Sequence, residues 1–181
     1  MPLSTANGGT SVDIASAALP LGSGQISFPA TQNASSDANT LDDYEEGSWT
    51  PVLWDSSNSD SESQAYTTQV GRYVKIGKMV YIQGRLVTSS IGTLTGAQNA
   101  RIGGLPFTSE NTANVIGCVS GEFANGLAIT AGTMVTGLID ANTAFLQLRN
   151  WDAATGTSQT TVTQWSADGD LGFCGYYRAA S

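Results

Sequence analysis

The feature that most constrains the fold is the alternation of apolar and polar side chains in the segment Lys78–Val87. Successive side chains of a β-strand point to opposite faces of a sheet, so this segment predicts a strand with one buried face. The segment Tyr66–Ile76 predicts a second strand, which pairs with the first as a hairpin through Gly77. The buried face is expected to carry Val80, Ile82 and Leu86, and the opposite face Tyr81, Gln83 and Arg85.

Other strand-like segments recur roughly every ten residues and are separated by Gly or Asn. They are Thr50–Trp54, Val115–Glu122, Leu127–Thr130, Thr133–Ile139, Ala144–Arg149, Thr160–Trp165 and Leu171–Tyr177. No segment has a convincing helical periodicity. The pattern therefore predicts an all-β fold, an antiparallel β-sandwich of the jelly-roll type. The predicted core consists of Val80, Ile82, Leu86, Ile102, Val115, Ile116, Val135, Leu146 and Phe173.

Residues 1–44 are rich in Ser, Ala, Asn, Gly and Thr and contain few large apolar residues. Such a segment buries too little surface by itself to offset the entropy lost on ordering. We therefore predict an extended N-terminal arm over residues 1–44, followed by a sandwich head domain over residues 45–181. Two short alternating stretches, Val12–Ile14 and Gln25–Phe28, predict arm strands that pair between subunits.

The composition excludes several classes of function. The chain has 15 acidic and 7 basic residues and a net charge of −8, which disfavours binding to nucleic-acid phosphates. It has no His, so one chain cannot form a Ser-His-Asp or Cys-His catalytic site. No apolar run approaches the ~18 residues of a membrane span, and the amino terminus lacks the basic region of a signal peptide. We predict no cofactor, no bound metal and no membrane insertion.

Two cysteines, Cys118 and Cys174, lie in separate apolar segments, and no CxxC motif is present. The favoured interpretation is two buried thiols that act as small apolar residues. A disulfide remains an alternative if their strands are neighbours.

Acidic residues form two groups that could carry chemistry. The cluster Asp42, Asp43, Glu45 and Glu46 could hold a hard cation, but a solvated linker or salt bridges to a neighbouring subunit is the favoured interpretation. A glycosidase would need two facing carboxylates. No spacing in the sequence pairs any two of Glu62, Glu110, Glu122, Asp140, Asp152, Asp168 and Asp170, so no catalytic residue is predicted.

Aromatic residues are concentrated in the last third of the chain, at Trp151, Trp165, Phe173, Tyr176 and Tyr177. Sugar rings stack on aromatic faces, and their hydroxyls need planar polar partners. The loops 150–155 and 166–170 are therefore the predicted ligand surface, with Trp151 as its main residue. The candidate ligand-binding residues are Trp151, Asp152, Asn150, Trp165 and Asp168. A core or subunit-interface role for these aromatic residues is the alternative.

Three motifs carry a resemblance to a known family: LDDYEEGSWTPVL (41–53), GRYVKIG (71–77) and RIGGLPFTSE (101–110). In this order they resemble the carboxy-terminal head of bacteriophage tail-fibre and receptor-binding proteins, over about residues 25–110. The resemblance implies a homotrimer on the virion, synthesised in the host cytoplasm, whose arm contacts other virion proteins. It also implies non-enzymatic, multivalent adsorption to a host-surface glycan or another envelope receptor. The alternatives are a purely structural head fibre or capsid decoration protein and, less favoured, a surface-polysaccharide depolymerase.

Overall fold

The computed structural model describes residues 26, 28, 31, 35, 37, 39–41, 43–57 and 62–180. These residues form ten strands and one short helix, and every strand pairing is antiparallel. The all-β prediction is therefore confirmed. The predicted arm strand Val12–Ile14, two of the four residues of Gln25–Phe28 (Gln25 and Ser27) and the acidic residue Asp42 lie outside the described residues.

In chain order, the elements are β1 (Tyr44–Trp49), β2 (Val52–Trp54), β3 (Ala65–Ile76), β4 (Met79–Ser90), β5 (Arg101–Gly103), β6 (Gly117–Asn125), β7 (Val135–Ile139), β8 (Phe145–Ala153), β9 (Gly156–Gln159), α1 (Val162–Trp165) and β10 (Asp170–Arg178).

The strands form one continuous sheet in the order β1-β3-β4-β10-β6-β7-β8-β5-β2, and β9 pairs with β8 beside this path. The two end strands, β1 and β2, are consecutive in the chain and are joined by Thr50 and Pro51. Because two residues span a short distance, the two ends of the sheet must come together. The sheet is therefore curled, and its inner face encloses the core.

The predicted hairpin is present as β3 and β4, with Gly77 in the turn at φ +55°. Its inner face buries Val80, Ile82 and Leu86, as the alternation predicted. Strand β10 pairs with β4 on one side and with β6 on the other, so the last strand lies in the middle of the sheet. The fully buried side chains around it include Leu53, Leu146, Trp165, Phe173 and Tyr177.

Two predicted core residues are exposed instead: 36% of Val115 and 56% of Ile116 are accessible to solvent. Strand β6 begins only at Gly117, so both residues lie in the preceding connection. There the backbone turns, since the amide of Val115 donates to the carbonyl of Thr112. A side chain outside the strand is not held on the inner face of the sheet. The apolar character of Val115 and Ile116 therefore predicted burial where there is none.

The segment Thr160–Trp165 was predicted as a strand but contains the helix α1. Thr161 caps this helix, because its side chain accepts from the amide of Gln164 while the Gln164 side chain accepts from the amide of Thr161. This reciprocal capping box satisfies backbone donors that a strand would pair with a neighbour. The predicted strand Leu127–Thr130 is also absent, and its residues lie in the connection between β6 and β7. In the part of the chain that the structure describes, no helix has the length and apolar character that a membrane crossing requires.

The acidic cluster was interpreted from sequence as a solvated linker or as salt bridges to a neighbouring subunit. In the structure, Glu45 and Glu46 belong to the first strand of the sheet, and Asp43 immediately precedes it. Asp43 and Lys75 form a buried ion pair within the chain, and the Tyr73 hydroxyl donates to Glu45. Both Lys75 and Tyr73 lie on β3, the neighbour of β1. The carboxylates of Asp43 and Glu45 thus serve to attach the beginning of the sheet to the hairpin.

Candidate ligand-binding groove

The structure separates the residues that the sequence grouped as a ligand surface. Trp165 is fully buried, and its indole N–H donates to the Thr88 hydroxyl at 3.0 Å. Asn150 is 1% exposed, and its side-chain oxygen accepts from the Thr160 hydroxyl at 3.0 Å. Both residues belong to the core side of the sheet, so their assignment to a ligand surface is wrong. The alternation of β8 places Asn150 on the inner face, and the capped helix turns Trp165 inward.

The other three candidates lie at the surface. Trp151 is 55% exposed at the end of β8. The Asp152 carboxylate accepts from the hydroxyl of Ser158, which lowers the pKa of Asp152. Asp168 is exposed and accepts from the Ser166 hydroxyl at 2.8 Å. Among the described residues, no hydrogen bond or ring contact joins Trp151 to Asp168, so binding by Trp151 stays a prediction.

A groove of about 360 Å³ instead lies on the outer face of β3, β4 and β10. The strand register explains which side chains line it. Val74, Tyr81 and Tyr176 form one row across the three strands, and Arg72, Gln83 and Cys174 form the next. These residues alternate with the buried positions of the same strands, so their side chains point outward. We call this cavity the outer groove.

A second cavity, of about 290 Å³, continues the outer groove along the sheet and shares Arg72 and Gln83 with it. Arg85, Glu122 and Gly172 are among its other lining residues. Gly172 contributes no side chain, so the surface is recessed between the neighbouring side chains. The two cavities therefore lie next to each other on the outer face of the sheet.

Two tyrosines form the aromatic wall of the outer groove. Tyr81 is 51% exposed and Tyr176 is 48% exposed, and their ring centres lie 6.4 Å apart. Cys118 faces Tyr176 in the strand register, and the interaction with this thiol raises the pKa of Tyr176. Half-exposed rings on a rigid sheet can stack on the C–H face of a ligand without a large loss of side-chain entropy.

Polar groups at the second cavity are held in fixed positions. The Arg85 guanidinium donates to both oxygens of Asp170, at 3.0 and 2.8 Å, which raises the pKa of Arg85. The same guanidinium lies 5.7 Å from the centre of the Phe123 ring. The interaction with the Glu122 carboxylate raises the pKa of the Cys174 thiol. Carboxylate and guanidinium groups therefore stand at defined places beside the aromatic wall.

The cysteines differ from the prediction that both are buried. Cys118 is exposed and Cys174 is partly exposed, and both are free thiols. Their strands are neighbours, but in register Cys118 faces Tyr176 and Cys174 faces Ser120. Both alternate with inward-facing residues, which places them on the outer face with the groove.

The outer groove presents two aromatic faces and planar polar side chains. Aromatic faces and planar polar side chains are the groups that bind sugars. A general acid of a glycosidase has a raised pKa. The pKa of Glu110 is lowered by its bond from Arg178, and the pKa of Asp152 is lowered by Ser158. No group of three Cys, Asp or Glu side chains in the described part of the chain could hold a metal ion.

Sequence reasoning placed Tyr81, Gln83 and Arg85 on the face opposite to the core but did not recognise a site there. The available signal was the alternation itself, because an aromatic residue on the solvent face of a strand is a candidate contact residue. Tyr176 was noted among the clustered aromatics. Tyr176 lies beside Tyr81 because β10 pairs with β4, and the sequence does not show this pairing.

Comparison with known proteins identifies a structural neighbour. A scan against protein families finds no match, and no curated protein matches the chain. Among solved structures, the chain is similar to the crystal structure of Dettilon tailspike protein (gp208), with a TM-score of 0.59 and 19% sequence identity. The two chains share a fold. The similarity covers 75% of this chain and 24% of the tailspike chain, so this chain spans about a quarter of that protein. A phage tailspike as structural neighbour agrees at a coarse level with the resemblance seen in the motifs.

Proposed function

We propose that this protein is part of an external appendage of a bacteriophage virion and binds a host-surface glycan through the outer groove. The observation that carries the proposal is the pairing of Tyr81 and Tyr176 with Arg72 and Gln83 in one recessed surface. The tailspike fold and the motifs of residues 41–110 support the virion location.

The proposed mechanism is reversible, multivalent adsorption by a homotrimer. One shallow groove offers a weak site, and three copies on one axis raise the overall affinity without new contacts. In this proposal the arm of residues 1–44 contacts other virion proteins, and the chain needs neither nucleic acid nor membrane insertion. Binding is proposed to be non-enzymatic, as the resemblance of residues 41–110 to receptor-binding heads implies.

The test is adsorption of fluorescently labelled protein to host cells, with native mass measured on the same sample. The double variant Tyr81→Ala/Tyr176→Ala is expected to keep the native mass and to lose at least about tenfold in binding, because stacking on two rings is removed. Lys78→Gln is the control, because it changes one exposed residue outside the groove. Unchanged adsorption by the double variant would move the proposal to a structural head fibre or capsid decoration protein. Release of reducing ends from host polysaccharide would instead identify a depolymerase.

A further inference from the structure

The outer groove contains a cation, Arg72, that has no counterion among the described residues. Arg72 is exposed and lines both cavities. Among the described residues it forms no ion pair, since the ion pairs of this part of the chain are Lys75–Asp43, Lys78–Glu110, Arg85–Asp170 and Arg178–Glu110.

The two remaining basic residues are occupied in other ways. The Arg149 guanidinium donates to the hydroxyl and the carbonyl oxygen of Thr157. The Arg101 guanidinium lies 4.5 Å from the centre of the Phe145 ring. Arg72 therefore differs from the other basic residues, because it lines the outer groove and has no anionic partner among the described residues.

We propose, on the basis of the proposed function above, that the outer groove selects an anionic saccharide and that Arg72 binds its charged group. A guanidinium presents a planar fork of donors that matches both carboxylate and phosphate oxygens. Gln83, opposite Arg72 in the register, adds an amide that both donates and accepts. Tyr81 and Tyr176, one row away, provide the faces on which the sugar ring stacks.

The carboxylates near the groove limit where the anionic group can bind. Glu122 lines the second cavity, where Arg85 is already neutralised by Asp170. An anion there would meet a carboxylate, whereas in the first cavity Arg72 is the charged lining residue. The charged group of the ligand is therefore assigned to the Arg72 end, and neutral hydroxyls to the Glu122 end.

The test measures the binding of three probes by titration calorimetry. The first is a hexasaccharide that contains glucuronic acid, and the second is a neutral hexasaccharide with glucose in place of glucuronic acid. The third is the neutral hexasaccharide with a phosphate on the 6-hydroxyl of that glucose. The wild-type protein is expected to bind a charged probe at least about tenfold more tightly than the neutral one. Arg72→Gln should remove this preference, and Lys78→Gln, which removes one positive charge outside the groove, should keep it. The glucuronate and phosphate probes distinguish the two sources of the anionic group.

Each other outcome overturns a defined part of the argument. If Arg72→Gln keeps the preference, or if the wild-type protein binds no charged probe more tightly than the neutral one, the inference about Arg72 is wrong. In that case, loss of cell adsorption by Tyr81→Ala/Tyr176→Ala would still support the outer groove as the receptor-binding site. If this double variant dissociates the native oligomer, the outer face is a contact with a second copy, and both proposals fail.

Discussion

The Asp43 carboxylate lies against the Lys75 ammonium group in the interior, with 7% and 2% of their side chains exposed. The Lys75 ammonium also lies 5.4 Å from the centre of the Phe107 ring. Asp43 immediately precedes β1 and Lys75 lies on β3, so the pair fixes the segment that enters the sheet. A buried pair of this kind is costly to break, because the remaining charge has no partner.

Replacing Lys75 by Met should therefore lower the free energy of unfolding by about 3–5 kcal/mol, since it leaves Asp43 charged and buried. The double variant Asp43→Asn/Lys75→Met removes both charges and should recover much of this loss. The measurement is urea unfolding of both variants, with Lys78→Met as the exposed control. A Lys75→Met variant as stable as the wild type would show that the pair does not hold the segment.

The Tyr73 hydroxyl donates to Glu45, and this bond raises the pKa of Tyr73 to about 12. The folded-state pKa exceeds the ordinary value of 10.0, so the stabilisation is complete below pH 10 and is lost as the pH rises towards 12. Tyr73→Phe should cost about 1 kcal/mol at pH 8 and progressively less above pH 10. Unfolding free energies at pH 8 and pH 11 test this, with Tyr81→Phe as the control. A difference that does not change with pH would contradict the assigned hydrogen bond.

Gly71 faces the Trp49 indole across the β1–β3 pair. A Cβ atom at Gly71 would lie 2.4 Å from the indole nitrogen of Trp49, so Gly71→Ala requires the ring to move. Trp49 is 7% exposed and packs edge-on against Phe173, with 6.0 Å between ring centres. Overpacking of this kind should cost about 1–3 kcal/mol of unfolding free energy. Gly172→Ala is the matched control, because its Cβ would meet Phe123 at an ordinary 3.7 Å.

Trp165 and Trp151 were both predicted from the sequence as ligand-binding residues, but their replacement should have different effects on stability. Trp165→Ala removes a fully buried ring and its bond to Thr88, and should cost about 3–5 kcal/mol. Trp151→Ala changes a ring that is 55% exposed, and should alter stability by less than about 0.5 kcal/mol. Thermal and urea unfolding distinguish the two. The sequence also predicts that Trp151 binds the ligand. If it does, the folded Trp151→Ala variant should adsorb to cells more weakly than the wild-type protein.

The parts of the fold that the sequence predicted are those governed by alternation alone. The β3–β4 hairpin and the buried Val80, Ile82 and Leu86 follow from a period of two residues and a short turn. β1 was missed because two of its inward-facing residues, Glu45 and Gly47, are not apolar. The carboxylates of Glu45 and of Asp43, just before β1, find their partners Tyr73 and Lys75 on a neighbouring strand. The partners that stabilise these carboxylates within the sheet can be identified only once the strand pairing is known.

The candidate groove could not be predicted for a related reason. Tyr81 and Tyr176 are far apart in the chain and meet because β10 pairs with β4. Neighbouring aromatic residues such as Trp151 and Trp165 suggested a site by proximity in sequence, but one faces solvent and the other the core. In an antiparallel sheet, the residues of a surface site are related by strand register and not by distance along the chain.

The position of β10 between β4 and β6 also determines when this chain can fold during synthesis. Until residue 178 has been made, neither β4 nor β6 has its central partner, and the two parts of the sheet remain separate. Pairing of strands so distant in sequence makes folding slow, and the unpaired edges are prone to aggregation in the meantime. A polypeptide cut short before Asp170 would therefore lack the strand that joins the two parts of the sheet.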